Sequence, residues 1–211
     1  MAEETQVKGE PAVSRPGGDA SSSPEPGASK ATAPPRRISP VKLAHIALRT
    51  SRFEDMKTWY STVLNARIGY ADPMVAFMTY DSEHHRLAIV HKSDLESNSQ
   101  WNAGLEHIGF TYASLGDLLE NFERLAALWI RPFWCVNHGT TTSMYYLDPD
   151  DNQVELQVEN FDSYEALRGW FKSGAFSKNP IGVNFEPDEL LERYRAGVPV
   201  ELLLRPWEAQ P

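Results

Sequence analysis

The sequence predicts an α+β fold made of two βαβββ modules, and three observations carry that prediction. First, LAHIALRTSRFEDMKTWYSTVL (43–64) aligns without a gap on LEHIGFTYASLGDLLENFERLA (105–126), at a constant offset of 62 residues. Second, each copy opens with a short β-type run and continues into apolar residues at helical spacing. Third, three further β-type stretches follow each helix. A module of this kind leaves one face of its sheet uncovered, so the two must close on each other and enclose a cleft.

The elements follow in order. Residues 1–38 hold six Pro, four Gly, no aromatic and no Leu, with five acids against five bases. Such a Pro/Ser/Ala-rich segment cannot bury enough apolar surface to offset the entropy of ordering it, and a disordered tail is expected. The paired modules occupy 39–161. In the first, Phe53, Met56, Tyr60, Val63 and Leu64 mark a helix face; in the second, Leu115, Leu118, Leu119, Phe122, Leu125 and Ala126 do. Ser51 and Ser114 are the expected N-caps, with Glu54 and Asp117 three residues on, as in a capping box. The strands are expected near 66–71, 75–81 and 85–92, then near 132–137, 142–147 and 153–160. Asp148-Pro149-Asp150-Asp151-Asn152 reads as a tight turn between the last two. Residues 162–211 form a C-terminal extension with helices at 162–174 and 186–196, the second with Pro187 in its first turn. Packing or subunit contact, not chemistry, is the role expected of it.

Composition narrows the function. The chain has 211 residues and a net charge of −9, all of it on 39–211 because the tail is neutral. An acidic domain repels phosphate backbones, which argues against nucleic acid as a partner. No run of 18 apolar residues exists, so no membrane span is expected. The N-terminus lacks an apolar signal region and Cys135 is the single cysteine, which together point to a cytoplasmic setting without disulfides.

His45 and His107 fall at matching positions of the repeat, each within an apolar strand where an imidazole without a partner would lose solvation. A shared metal would satisfy both. Glu155 interrupts Val154, Leu156 and Val158, and alternation puts Gln153, Glu155 and Gln157 on one face of the strand. Two His and one carboxylate with open positions suit Fe(II) and oxygen chemistry; an ordinary polar face is the competing reading. The His84-His85 pair reads equally as a solvated hairpin, and Tyr145-Tyr146 as a strand with one ring on each face.

The repeat, with LAHIAL, LEHIGF and DPDDNQVELQVENF, resembles the vicinal oxygen chelate superfamily over about 41–161. SEHHRLAIV (82–90) and NHGTTTSMYYLDPDDNQVEL (137–156) most resemble single-domain type I extradiol ring-cleavage dioxygenases. The resemblance implies an open barrel of two modules, Fe(II) held by His45, His107 and Glu155, and a catechol-like aromatic substrate cleaved with O2. It implies His85 as the acid–base residue, Tyr145 as the active-site tyrosine and His138 as a hydrogen-bonding residue beside the substrate. Asp151 stands where relatives often carry Gly.

Other readings remain open at this point. Aligning AIVHK with QVELQ matches His91 with Glu155. Were His91 a fourth ligand, the site would suit Zn, Ni or Mn and a non-redox lyase or isomerase of the glyoxalase type. Were the metal absent, Trp101, Phe110, Tyr112, Phe133, Trp134 and Tyr146 would suit a protein that binds a flat ligand. One chain holds both modules, and a homodimer is compatible with either arrangement.

Overall fold

The structure, a computed structural model, describes residues 38–95 and 103–205. The expected tail up to residue 37, Trp101, and residues 206–211 of the extension lie outside the described residues. Contacts divide the chain into Met1–Val41 and Lys42–Pro211; of the first unit, residues 38–41 are described and carry neither helix nor strand.

Within the second unit the repeat becomes two similar halves. The first runs β1 (Ile46–Thr50), α1 (Phe53–Val63), β2 (Arg67–Ala71), β3 (Val75–Thr79) and β4 (Leu87–His91). The second runs β5 (His107–Thr111), α2 (Leu115–Ala126), β6 (Trp134–Asn137), β7 (Thr141–Leu147) and β8 (Gln153–Glu159). The extension follows as α3 (Tyr164–Lys172), α4 (Ala175–Lys178), β9 (Val183–Asn184), α5 (Pro187–Arg195) and α6 (Val200–Leu203). The strand orders are β1-β4-β3-β2 and β5-β8-β7-β6-β9. In both sheets the first strand of the module runs parallel to its last, β1 beside β4 and β5 beside β8. The extension thus adds a strand as well as helices, β9 pairing with β6.

The helices form where the periodicity placed them. Phe53, Met56, Tyr60 and Val63 are the buried face of α1, and Leu115, Leu118, Leu119, Phe122 and Leu125 belong to that of α2. These residues join Leu87, Ile89, Met144, Tyr146, Val154 and Leu156 in one apolar core shared by both modules. Ser114 caps α2 by accepting from the Asp117 amide at 3.1 Å. Its hydroxyl also donates to the Asp117 carboxylate at 2.8 Å, so that acid reaches the cap's side chain. Ser51 does not cap α1. The N-cap is Arg52, whose guanidinium has no acceptor to offer the first-turn amides, and its own amide donates to the Thr50 hydroxyl at 2.8 Å.

A buried polar contact ties the modules together. Asp148 is 3 % exposed, and its Oδ2 accepts the Tyr60 hydroxyl from α1 at 3.0 Å. The same carboxylate organises the β7–β8 turn by accepting the amides of Asp150 and Asn152, each at 2.9 Å. Asp151 sits in that turn at φ 62, the left-handed conformation that explains why Gly would also serve there. Tyr60→Phe removes one donor from a buried acid while keeping the ring. It is expected to cost about 1.5–3 kcal/mol, the range for hydrogen bonds to charged groups, read from urea midpoints at unchanged slope.

Candidate active site

Glu155 is a buried carboxylate, 5 % exposed in the middle of β8. Its strand neighbours Val154, Leu156 and Val158 turn into the core, so Glu155 faces the other way with Gln153 and Gln157. Gly109 of β5 lies directly beside it. A Cβ on Gly109 would come within 3.2 Å of Glu155 Oε2, so the missing side chain opens the path by which Glu155 reaches His107. Glu155 Oε2 is 3.2 Å from His107 Nε2.

On its other side Glu155 meets Tyr145, its cross-strand partner on β7. The Tyr145 hydroxyl donates to Glu155 Oε1 at 2.9 Å. Burial, followed by the nearby Glu155 charge, drives that phenol well above the ordinary tyrosine range, so it remains a donor. His138 Nε2 lies 3.0 Å from the same hydroxyl, while His138 Nδ1 lies 2.5 Å from the Ile181 carbonyl. Trp134 stacks on the Tyr145 ring with centroids 4.8 Å apart, and His107 meets the ring edge-on at 5.5 Å. His107, Glu155, Tyr145 and His138 therefore form one continuous polar run.

The remaining candidates make a second cluster on the first module. The His85 ring stacks on Phe77 at 4.5 Å and lies 4.5 Å from the His45 ring. Its Nδ1 is 2.5 Å from His84 Nδ1, a contact in which one ring must donate and the other accept. Desolvation, then His84 and His45, lower the His85 pKa from the ordinary imidazole value. His45 is not at mid-strand as the sequence implied: it immediately precedes β1 and is exposed. His107 likewise opens β5, with its side chain 37 % exposed, so neither imidazole is buried. Among the described residues, no three His, Cys, Asp or Glu side chains are grouped closely enough to hold a metal ion as they lie. The structure unites His107 with Glu155 and leaves His45 beside His85.

Arg86 anchors the approach to His45, donating from Nη1 to the Leu43 carbonyl at 2.8 Å and from Nε to Asp81 at 2.8 Å. Asp81 also accepts the Glu83 amide at 2.9 Å. That amide first, and Arg86 next, lower the Asp81 pKa to about 2. A depressed carboxylate stabilises the fold above its unfolded pKa and loses that contribution as pH falls to its folded value. Asp81→Asn is therefore expected to melt at a lower temperature than the parent at neutral pH. The gap should close between pH of about 4, the ordinary Asp value, and 2. Thermal melts across that window check this.

The residues of the two alternative readings lie as follows. His91 shares the face of Leu87 and Ile89, its ring stacked on Phe53 at 5.5 Å and its Nδ1 3.2 Å from the Pro73 carbonyl. Leu87 and Ile89 lie in the core and Phe53 belongs to α1, so His91 packs against that helix. The aromatics also divide. Trp134 and Phe133 flank Tyr145, Tyr146 is buried in the core, and Phe110 and Tyr112 pack against that core. Cys135 is buried, and burial pushes its thiol up to about 12, far from a reactive thiolate. Sequence reasoning missed Gly109, the stacking of Trp134 and the Ile181 carbonyl. Only Gly109, two residues after His107 in LEHIGF, left a signal that could have been read.

Comparison with known proteins agrees with the architecture. The family described as the Glyoxalase/Bleomycin resistance protein/Dioxygenase superfamily matches residues 42–156. Biphenyl-2,3-diol 1,2-dioxygenase 2 of Rhodococcus globerulus is 42% identical over 161 residues, 76% of this chain and 85% of that protein. Biphenyl-2,3-diol 1,2-dioxygenase 3 of the same organism is 40% identical over 169 residues, 79% and 89% of the two chains. Among solved structures, the glyoxylase/bleomycin resistance protein/dioxygenase domain from Frankia sp. EAN1pec aligns at a TM-score of 0.50 and 17% identity. It covers 61% of this chain and 99% of its own, a likeness of fold alone. No helix among the described residues is long and apolar enough to cross a membrane. With the motifs, the paired modules and these matches in accord, the chain belongs to the glyoxalase/bleomycin resistance protein/dioxygenase superfamily.

Proposed function

We propose that this protein is an Fe(II)-dependent extradiol dioxygenase that opens the ring of a dihydroxybiphenyl-like catechol with O2. The observation that carries this reading is the buried Glu155 carboxylate meeting His107 in a chain 42% identical to a biphenyl-2,3-diol 1,2-dioxygenase. The donor chemistry fits the metal: a buried anion that needs a cation, an imidazole nitrogen beside it, and a second imidazole, His45, at the matching repeat position. Bound there, Fe(II) would supply neighbouring positions at which a vicinal diol and O2 can meet.

The chain's own residues supply the proton handling. His85, held between Phe77 and His45, takes a proton from the incoming diol and returns it later in the cycle. Tyr145 keeps its hydroxyl proton and orients Glu155, while His138 supports Tyr145 from behind. Phe133 is half exposed beside Tyr145 and offers a flat apolar surface for the second ring of the substrate. The non-redox alternative would be favoured by His91 as a ligand, and its place on Phe53 gives that no support.

The test is anaerobic loading with Fe(II), followed by biphenyl-2,3-diol in oxygenated buffer. One iron per chain, O2 uptake and a yellow ring-fission product are expected; turnover that continues without O2 would overturn the proposal. Metal content of His45→Ala tests its place as third ligand. Iron affinity should fall by more than the roughly ten- to hundredfold loss typical of removing an outer partner.

A further inference from the structure

We propose that the strap at 179–184, in the extension expected only to pack, is a positioning element of the active site: its Ile181 carbonyl fixes the tautomer of His138. A carbonyl oxygen can only accept, so the 2.5 Å contact with Nδ1 requires the proton of a neutral His138 to sit on Nδ1. Nε2, the nitrogen 3.0 Å from the Tyr145 hydroxyl, is then a bare acceptor that shares the single proton of that hydroxyl with Glu155 Oε1, 2.9 Å away. The strap thus decides whether the nitrogen facing Tyr145 carries a proton.

Three independent features hold the carbonyl there. Gly182 lies at φ +106, and a Cβ on it would stand 2.1 Å from the Asn137 carbonyl oxygen, so only glycine lets the strap approach this closely. Asn179 clamps the turn from both ends of its amide, accepting the Gly182 N–H at 2.9 Å and donating to the Gly182 carbonyl at 2.7 Å. Val183 and Asn184 pair with Asn137 and Val136 of β6, immediately before His138. Asn184 adds a link to the same tyrosine, its Oδ1 accepting Trp134 Nε1 at 2.9 Å while Trp134 stacks on Tyr145. Both supports of the Tyr145 ring are therefore fastened to one short segment.

The rate consequence rests on the proposed function, but the tautomer does not, and the experiment keeps the two apart. Ring-nitrogen NMR of histidine-labelled, metal-free protein is recorded about two pH units above the ordinary imidazole pKa near 6.5. His138, assigned by its absence in His138→Gln, is expected as a single Nδ1–H form in the parent. Asn179→Ala and Gly182→Ala should convert it to a mixture containing the Nε2–H form. Their kcat/KM should fall about ten- to a hundredfold, as for other partners that orient a working imidazole, with iron content unchanged. An Nε2–H form in the parent would overturn the inference, and that measurement needs no variant. So would an unchanged tautomer in Asn179→Ala when amide exchange shows Val183 released. Should no ring cleavage be found while Nδ1–H is pinned, the proposed function fails and the positioning role stands.

Discussion

Glu155→Gln is expected to lose ring cleavage by on the order of a thousandfold, consistent with the several kcal/mol a metal contributes to such chemistry. The amide has nearly the same volume and can still accept from Tyr145 through its carbonyl oxygen, so packing at β8 is kept. What disappears is the negative charge 3.2 Å from His107 Nε2, and with it the reason for a cation to remain. Bound iron should drop in parallel with turnover, measured by elemental analysis after gel filtration. The folded state should hold or gain stability in the metal-free protein, because a buried carboxylate at 5 % exposure is itself costly. A variant that keeps parental iron and parental O2 uptake would remove Glu155 from the ligand set.

Phe122→Ala is expected to have the largest effect on the fold, about 3–5 kcal/mol, as for other buried Phe truncations. Phe122 is 1 % exposed on the buried face of α2 and belongs to the core shared by both modules. Arg131 lies over its ring, 5.6 Å from the centroid, so the substitution also strips a guanidinium of its aromatic support. Against a total stability of about 5–15 kcal/mol, that loss takes a large share and should lower the denaturant midpoint sharply. A midpoint shift equivalent to less than about 1 kcal/mol would mean that α2 is not a structural centre of the core.

How much of this was legible in the sequence depends on whether the signal was periodic. The 62-residue repeat marked both modules and both helices, because apolar period reports burial directly; the parallel pairing of first and last strands was not among its signals. Gln153, Glu155 and Gln157 could be set on one face by alternation alone, and Tyr145 and Glu155 do meet. The helix starts one residue later than Ser51 implied, with Arg52 at the N-cap, a side chain that carries only donors and cannot accept a first-turn amide. The two leading histidines were placed in buried mid-strand positions, whereas both stand at strand starts and reach solvent. The strap was beyond reach for a different reason: its contribution is a backbone carbonyl, and no residue type announces that. Gly182 in NPIGVNF reads as an ordinary turn until its distance to Asn137 is known.

The Tyr60–Asp148 contact has one more consequence, for how molecules get in and out. Any breathing motion that parted the halves would leave an acid in the interior short of its donor, at a cost of about 1.5–3 kcal/mol for that link alone. Each 1.4 kcal/mol is a tenfold drop in population, so such a gaping form would be visited no more than about one time in ten to one in a hundred. Passage of guests by way of that form is therefore limited to the same small fraction of the population.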